Sequence, residues 1–201
     1  MKKIPTLFER EFANHKVVSI MPIVTPGLEW VLNGEGIATI KYDGACCAIF
    51  NGLFYKRYDA KNGKLPPSGA IPCQQYPDPI TGHWPHWVMM DRDNPADRWF
   101  WMAFDYSRLF CGLDVRIDAT YEAVGCHFQG NPYQIKVDRL IRHGCDHINI
   151  TRSYDGIYDF LLNHNIEGVV FWKDGAPRCK IKRSDFGLAW PIDNVIPYLP
   201  I

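Results

Sequence analysis

The sequence has little with which to hold a membrane or a polyanion by bulk properties alone. Its 201 residues carry no net charge, with 22 basic side chains matched by 22 acidic ones. That excludes a protein that coats nucleic acid through overall basicity, although a local basic groove stays open. No apolar run approaches the roughly 20 residues that cross a bilayer. The start, Met1-Lys2-Lys3-Ile4-Pro5, leads into Glu9, Arg10, Glu11 and His15, which is no secretory signal. Seven cysteines, an odd number without repeated spacing, read as reduced thiols in the cytoplasm. Cys126-His127 and His143-x-Cys145-x-His147 lack the ligand spacing of a structural zinc site, the His143/His147 interval apart. No internal repeat or low-complexity tract appears, and nothing points to an obligate protein partner or a membrane.

What is present is an ordinary globular composition, 47% hydrophobic and 22% charged, with seven Trp, ten Tyr and eleven Phe for a core. The length allows one sizeable core, so a single domain over 1–201 is expected. Residues 62–97 hold seven prolines, Trp84 and Trp87. That is too aromatic for a disordered linker and too proline-rich for regular structure, so it reads as an ordered insertion. Strands are expected at 36–41, 45–50, 53–58, 99–104 and 120–124, and helices at 133–142 and 154–164. Ser153 is the expected N-cap of the last, whose Ile157, Phe160, Leu161 and His164 repeat at helical spacing.

Two turn signals fix registers. Asn51-Gly52 closes a hairpin that places Arg57 opposite Cys46, and Asp174-Gly175 closes another. A two-residue turn in the second puts Glu167 opposite Lys182 and Val169 opposite Lys180. Glu167, Lys180 and Lys182 then share one face, with Val170, Trp172, Cys179 and Ile181 on the apolar one. One extra residue on either side would shift this pairing. A carboxylate with two lysines suits phosphate and metal chemistry; taken alone, it is better described as a solvated cross-strand ion pair between Glu167 and Lys182.

The order of short motifs is more specific than that face. Lys41-Tyr42-Asp43-Gly44, Lys56-Arg57, Tyr121-Glu122, Glu167-Gly168-Val169-Val170 and Lys180-x-Lys182 follow one another along the chain. They resemble motifs I, Ia, III, IV and V of the covalent nucleotidyltransferases: ATP-dependent DNA and RNA ligases and mRNA capping enzymes. The flanking text is similar to the small single-domain ATP-dependent RNA ligases, a family that includes a vertebrate 5′-to-3′ RNA ligase. The segments that carry the likeness are Thr25-Pro26-Gly27-Leu28-Glu29-Trp30-Val31-Leu32, Gly34-Glu35-Gly36, Tyr55-Lys56-Arg57-Tyr58-Asp59-Ala60-Lys61 and Pro77-Asp78-Pro79-Ile80-Thr81-Gly82-His83-Trp84-Pro85. Gly130-Asn131-Pro132-Tyr133 and Lys182-Arg183-Ser184-Asp185-Phe186-Gly187-Leu188 complete the set, which spans residues 17–191.

The resemblance implies an α+β fold, a nucleotidyltransferase (adenylylation) domain of largely antiparallel sheets flanked by helices. Only Ser184 to Ile201 follow motif V, too few for the C-terminal OB domain of DNA ligases and capping enzymes. It also implies residue roles. Lys41 attacks the α-phosphate of ATP, and burial together with nearby cations favours the neutral amine such an attack needs. Ile40, Lys41, Arg57, Glu122, Lys180 and Lys182 contact the nucleotide: Lys180 and Lys182 the phosphates, Arg57 the ribose or later the RNA 5′-phosphate. Glu167 is the main acidic group for Mg²⁺ or Mn²⁺; Glu122 holds ribose hydroxyls or a metal-bound water. Asp43 is a ribose or supporting contact, or simply a turn former before Gly44. Motif III ordinarily has glycine where Tyr121 stands. The implied substrate is RNA with 5′-phosphate and 3′-hydroxyl ends, gripped in part by charges among Lys56, Arg57, Lys61, Lys64, Arg178 and residues 180–183. Two alternatives are a transferase that stops after moving AMP or GMP, and a non-catalytic nucleotide- or RNA-binding module.

Overall fold

A computed structural model describes residues 1–13, 16–61 and 63–192. The fold is mixed α+β, built on antiparallel sheets with two α-helices among the described residues. Residues from 193 onward, part of the tail considered for an OB domain, lie outside the described residues. In chain order the strands begin with β1 (Phe8–Ala13), β2 (Lys16–Val24), β3 (Ile37–Lys41), β4 (Ala45–Phe50) and β5 (Leu53–Ala60). The short β6 (Ile71–Pro72) and β7 (Trp84–Met89) precede helix α1 (Arg98–Phe110). Then come β8 (Ala119–Val124), β9 (Arg139–Arg142), β10 (His147–Ile148), helix α2 (Tyr154–Asn163), β11 (Gly168–Lys173) and β12 (Ala176–Lys182). The chain divides into two compact units, one of Met1–Lys3 and Asp43–His143, the other of Ile4–Tyr42 and the chain from Gly144.

The first unit is a six-stranded sheet in the order β6-β7-β5-β4-β8-β9. Cys47, Ile49, Phe54, Tyr121, Ala123 and Leu140 make its main core, with Ala103 and Phe104 of α1 packed in. The opposite face carries Ala48, Tyr55 and Trp87, bordered by Met1, Cys46, Phe50 and Cys73. The Asn51-Gly52 turn has positive φ at both residues and sets Phe50 against Leu53 through Cys47 against Lys56, where the β4-β5 pairing ends, one step before the expected Arg57/Cys46 pair. The Pro-rich stretch is more regular than expected, since Trp84–Met89 pairs along the whole of its length with β5.

Two expected elements are corrected. Residues 99–104 form part of α1, not a strand. Their aromatic run has strand propensity, but Asn94 accepts from the Ala96 N–H at 3.0 Å and Pro95 opens a 3₁₀ turn that starts the helix. Residues 133–142 are not a helix; only Arg139–Arg142 is regular, and it is a strand. The Asn131 side chain both donates to the Ile135 carbonyl and accepts from its N–H, each at 2.9 Å. Gln134 also sits at φ 53°. This local bonding competes with a helical ladder.

The second unit holds the four-stranded sheet β10-β3-β11-β12 and the β1-β2 ribbon. Ser153 caps α2, accepting from the Gly156 N–H at 3.0 Å, and Ile157 and Leu161 are fully buried. The β11-β12 register follows the two-residue turn for Lys173/Ala176 and Trp172/Pro177, then slips. Phe171 pairs with Cys179, leaving Arg178 as an extra residue on β12. Pro177 has no N–H for the ladder, which favours a bulge there. Lys182 therefore opposes Gly168, not Glu167, and Lys180 opposes Val170, not Val169. The buried face is Val169, Phe171, Cys179 and Ile181. No helix among the described residues is long and apolar enough to cross a membrane, and none of the cysteines is paired.

Candidate active site

Lys41 is the last residue of β3, where the strand must end at Asp43-Gly44. It pairs with Gly168 on β11, which pairs in turn with Lys182 on β12. Paired residues project to the same side of a sheet, so Lys41 and Lys182 flank a position with no side chain. One step along, Lys180 shares that face through Val170. A Cβ on Gly168 would overlap the Ile181 carbonyl and come within 2.9 Å of the Lys182 Cα, so the strands approach this closely only at glycine. Glu167 reaches the cluster from just before β11, where its carbonyl accepts from the Arg183 N–H at 2.9 Å. Its Oε2 is in direct contact with Lys41 Nζ. Thus Lys41, Glu167, Lys180 and Lys182 do come together, with Glu167 arriving by the strand end and not by the expected cross-strand pairing.

Charge in this cluster is unbalanced. Burial above all, then the Lys41 and Lys182 charges, pushes the Lys180 ammonium down from 10.5 to about 8, against the pull of Glu167; Arg10 adds to the depression. Among the described residues no carboxylate is in ion-pair contact with Lys180 or Lys182, while Arg10 Nη2 donates to Asp185 at 2.9 Å. The Lys180 backbone is fixed on its outer side, its N–H donating to Pro5 and its carbonyl accepting from Leu7. Arg10 and residues 5–7 carry no local motif that would tie them to β12, so sequence reasoning missed them. Ile40 faces the other way: it pairs with Val169 and is 5% exposed, on the apolar side of the sheet.

The remaining candidates belong to the first unit. The Asp43 N–H donates to Tyr133 Oη at 2.6 Å, so the Gly130-Asn131-Pro132-Tyr133 segment anchors the turn after Lys41. Gly44 cannot carry a side chain, because a Cβ would meet the Ala123 carbonyl and lie 2.9 Å from Glu122 Cγ. Its N–H donates to Glu122 Oε1 at 3.1 Å. Glu122 opposes Cys46 across β8-β4, and its Oε2 lies 2.9 Å from His143 Nε2. Tyr121, in the place of the motif III glycine, is a buried core residue. Burial and the Glu122 charge push the Cys46 thiol up to about 12, against Arg57. Cys46, Glu122 and His143 offer ligand atoms within 4.8 Å of one another and so form a set that could hold a metal ion. Arg57 donates through Nε to Asp59 at 3.0 Å.

Several outlying basic residues are committed within the fold. Lys56 pairs with buried Asp97 before α1. Arg183 is 3% exposed and donates to the carbonyls of Leu161, His164 and Ala189. Arg178 Nε donates to the Lys173 carbonyl at 3.1 Å across the hairpin turn. No family model matches the chain, and no curated protein matches it.

Proposed function

We propose that the protein is an ATP-dependent RNA ligase that works through a covalent lysine-AMP intermediate on Lys41. The observation that carries the nucleotidyltransferase part is the half-buried Lys41–Lys180–Lys182 face, with one carboxylate on the nucleophile and, among the described residues, no ion-pair partner for the other two lysines. Unpaired buried ammonium groups are costly unless an anion joins them, and a nucleotide triphosphate is such an anion. The RNA part rests on the resemblance of residues 17–191 to the small RNA ligases, which also suggests the nucleotidyltransferase form of the observed α+β fold.

In this reading Lys41 Nζ attacks the α-phosphorus, the bond to the departing pyrophosphate breaks, and the Nζ proton leaves toward Glu167 Oε2. Lys180 and Lys182 balance the charge on the phosphate oxygens. AMP then passes from Lys41 to an RNA 5′-phosphate, and a 3′-hydroxyl attacks that end with loss of AMP. Mg²⁺ or Mn²⁺ would neutralise phosphate charge. Glu167 fits that demand, since magnesium takes few direct carboxylates and shares phosphate oxygens. Glu122 fits it less well, both its oxygens being bonded to Gly44 and His143.

Incubation with Mg²⁺ and each nucleotide, followed by intact mass, tests the first step: a gain of one adenylate, absent in Lys41→Ala, is expected. A nicked or hairpin RNA with a 5′-phosphate then separates a ligase, which seals it, from a transferase that only moves AMP or GMP. No adduct with any nucleotide would favour a binding module.

A further inference from the structure

Glu122 does not stand alone, and the group that holds it has no part in the motifs. A carboxylate only accepts, so the 2.9 Å contact to Glu122 Oε2 requires the proton on His143 Nε2. The other ring nitrogen, Nδ1, lies within hydrogen-bond distance of Thr120 Oγ1, at 2.9 Å. Glu122 Oε1 takes the Gly44 N–H at 3.1 Å. The result is a chain from Thr120 through His143 and Glu122 to the backbone of Gly44. Thr120 and Glu122 are two apart on β8, and His143 directly follows β9, whose Ile141 pairs with Glu122. Glu122 and His143 are mostly buried, with 13% and 16% of their side chains exposed. With both carboxylate oxygens and both ring nitrogens bonded, the cluster is satisfied without a cation.

We infer that His143 is a positioning residue that fixes the Glu122 carboxylate for recognition of the nucleotide ribose hydroxyls. This rests on the adenylylation reading above and on the ribose contact, one of the two roles that the family resemblance implies for Glu122. One oxygen of Glu122 is held by backbone and the other by His143, so loss of the imidazole frees the carboxylate to rotate away from the orientation the ribose needs. A hydrogen bond to a charged group supports an effect of about ten- to hundred-fold on the apparent KM for ATP.

The test is Lys41 adenylylation by wild type, His143→Ala, His143→Gln, Glu122→Gln and the Ala/Gln double variant, with ATP and with 2′-deoxy- and 3′-deoxy-ATP. Wild type should favour ATP. His143→Ala should raise KM for ATP and erode the preference over the deoxy nucleotides, as Glu122→Gln does. The double variant should be no worse than the worse single one. His143→Gln, whose amide can still donate to Glu122, should recover much of the preference. A merely structural histidine would lower the folded fraction, read by thermal melting, and leave the ribose preference intact. An unchanged preference in His143→Ala, with Glu122→Gln losing it, overturns the proposal while adenylylation stands. Wild type that forms no adduct overturns the adenylylation reading, and this role falls with it.

Discussion

Replacing Lys180 by methionine should make the protein more stable and inactive at once. The Lys180 ammonium is depressed from 10.5 to about 8, chiefly by burial and then by Lys41 and Lys182. Below pH 8 it is charged in both folded and unfolded states, and the fold bears the whole cost of holding that charge. Between pH 8 and 10.5 the folded chain releases the proton while the unfolded chain keeps it, so stability rises with pH there. Above 10.5 the cost is gone. A depression of this size is worth roughly 3 kcal/mol at neutral pH. Lost attraction to Glu167 and incomplete repacking reduce the gain from methionine to about 1–3 kcal/mol. Urea unfolding of both proteins at pH 7 and across the alkaline range reads this directly. The Lys180→Met midpoint should exceed wild type at pH 7, with the gap shrinking above pH 8 and closing beyond 10.5. A variant less stable at pH 7, or a difference that ignores pH, refutes the account of a strained cationic face.

The same charge logic gives a ligand effect: pyrophosphate should raise the melting temperature more at pH 7 than at pH 9.5, and less in Lys182→Met. An equal rise in all conditions would show binding elsewhere. Gly168→Ala should cost more than about 2 kcal/mol in urea unfolding, because the new methyl meets the Ile181 carbonyl and the β11-β12 ladder must open. Ser153→Ala should cost about 1 kcal/mol through loss of the α2 cap, with adenylylation unchanged.

Much of the cluster was legible because its signals are local. Asn51-Gly52 and Asp174-Gly175 each mark a turn with positive φ, and strand alternation then puts Lys180 and Lys182 on one face. The register failed two residues beyond the second turn, since a bulge at Pro177-Arg178 depends on which N–H groups the ladder needs. Glu167 thus reached Lys41 by another path than the pattern foretold. The 99–104 run misled because aromatic content outweighed the Asn94-Pro95 start signal. His143 and Arg10 were hidden for a different reason. Their roles depend on partners far along the chain, Glu122 for one and β12 for the other, and no spacing rule reports such contacts.

The most direct test remains the chemical state of Lys41. After incubation with Mg²⁺ and ATP, peptide mapping of the intact adduct should place one adenylate on Lys41, with pyrophosphate released and no adduct in Lys41→Ala. An adenylate on another residue, or none with any nucleotide, would contradict the account.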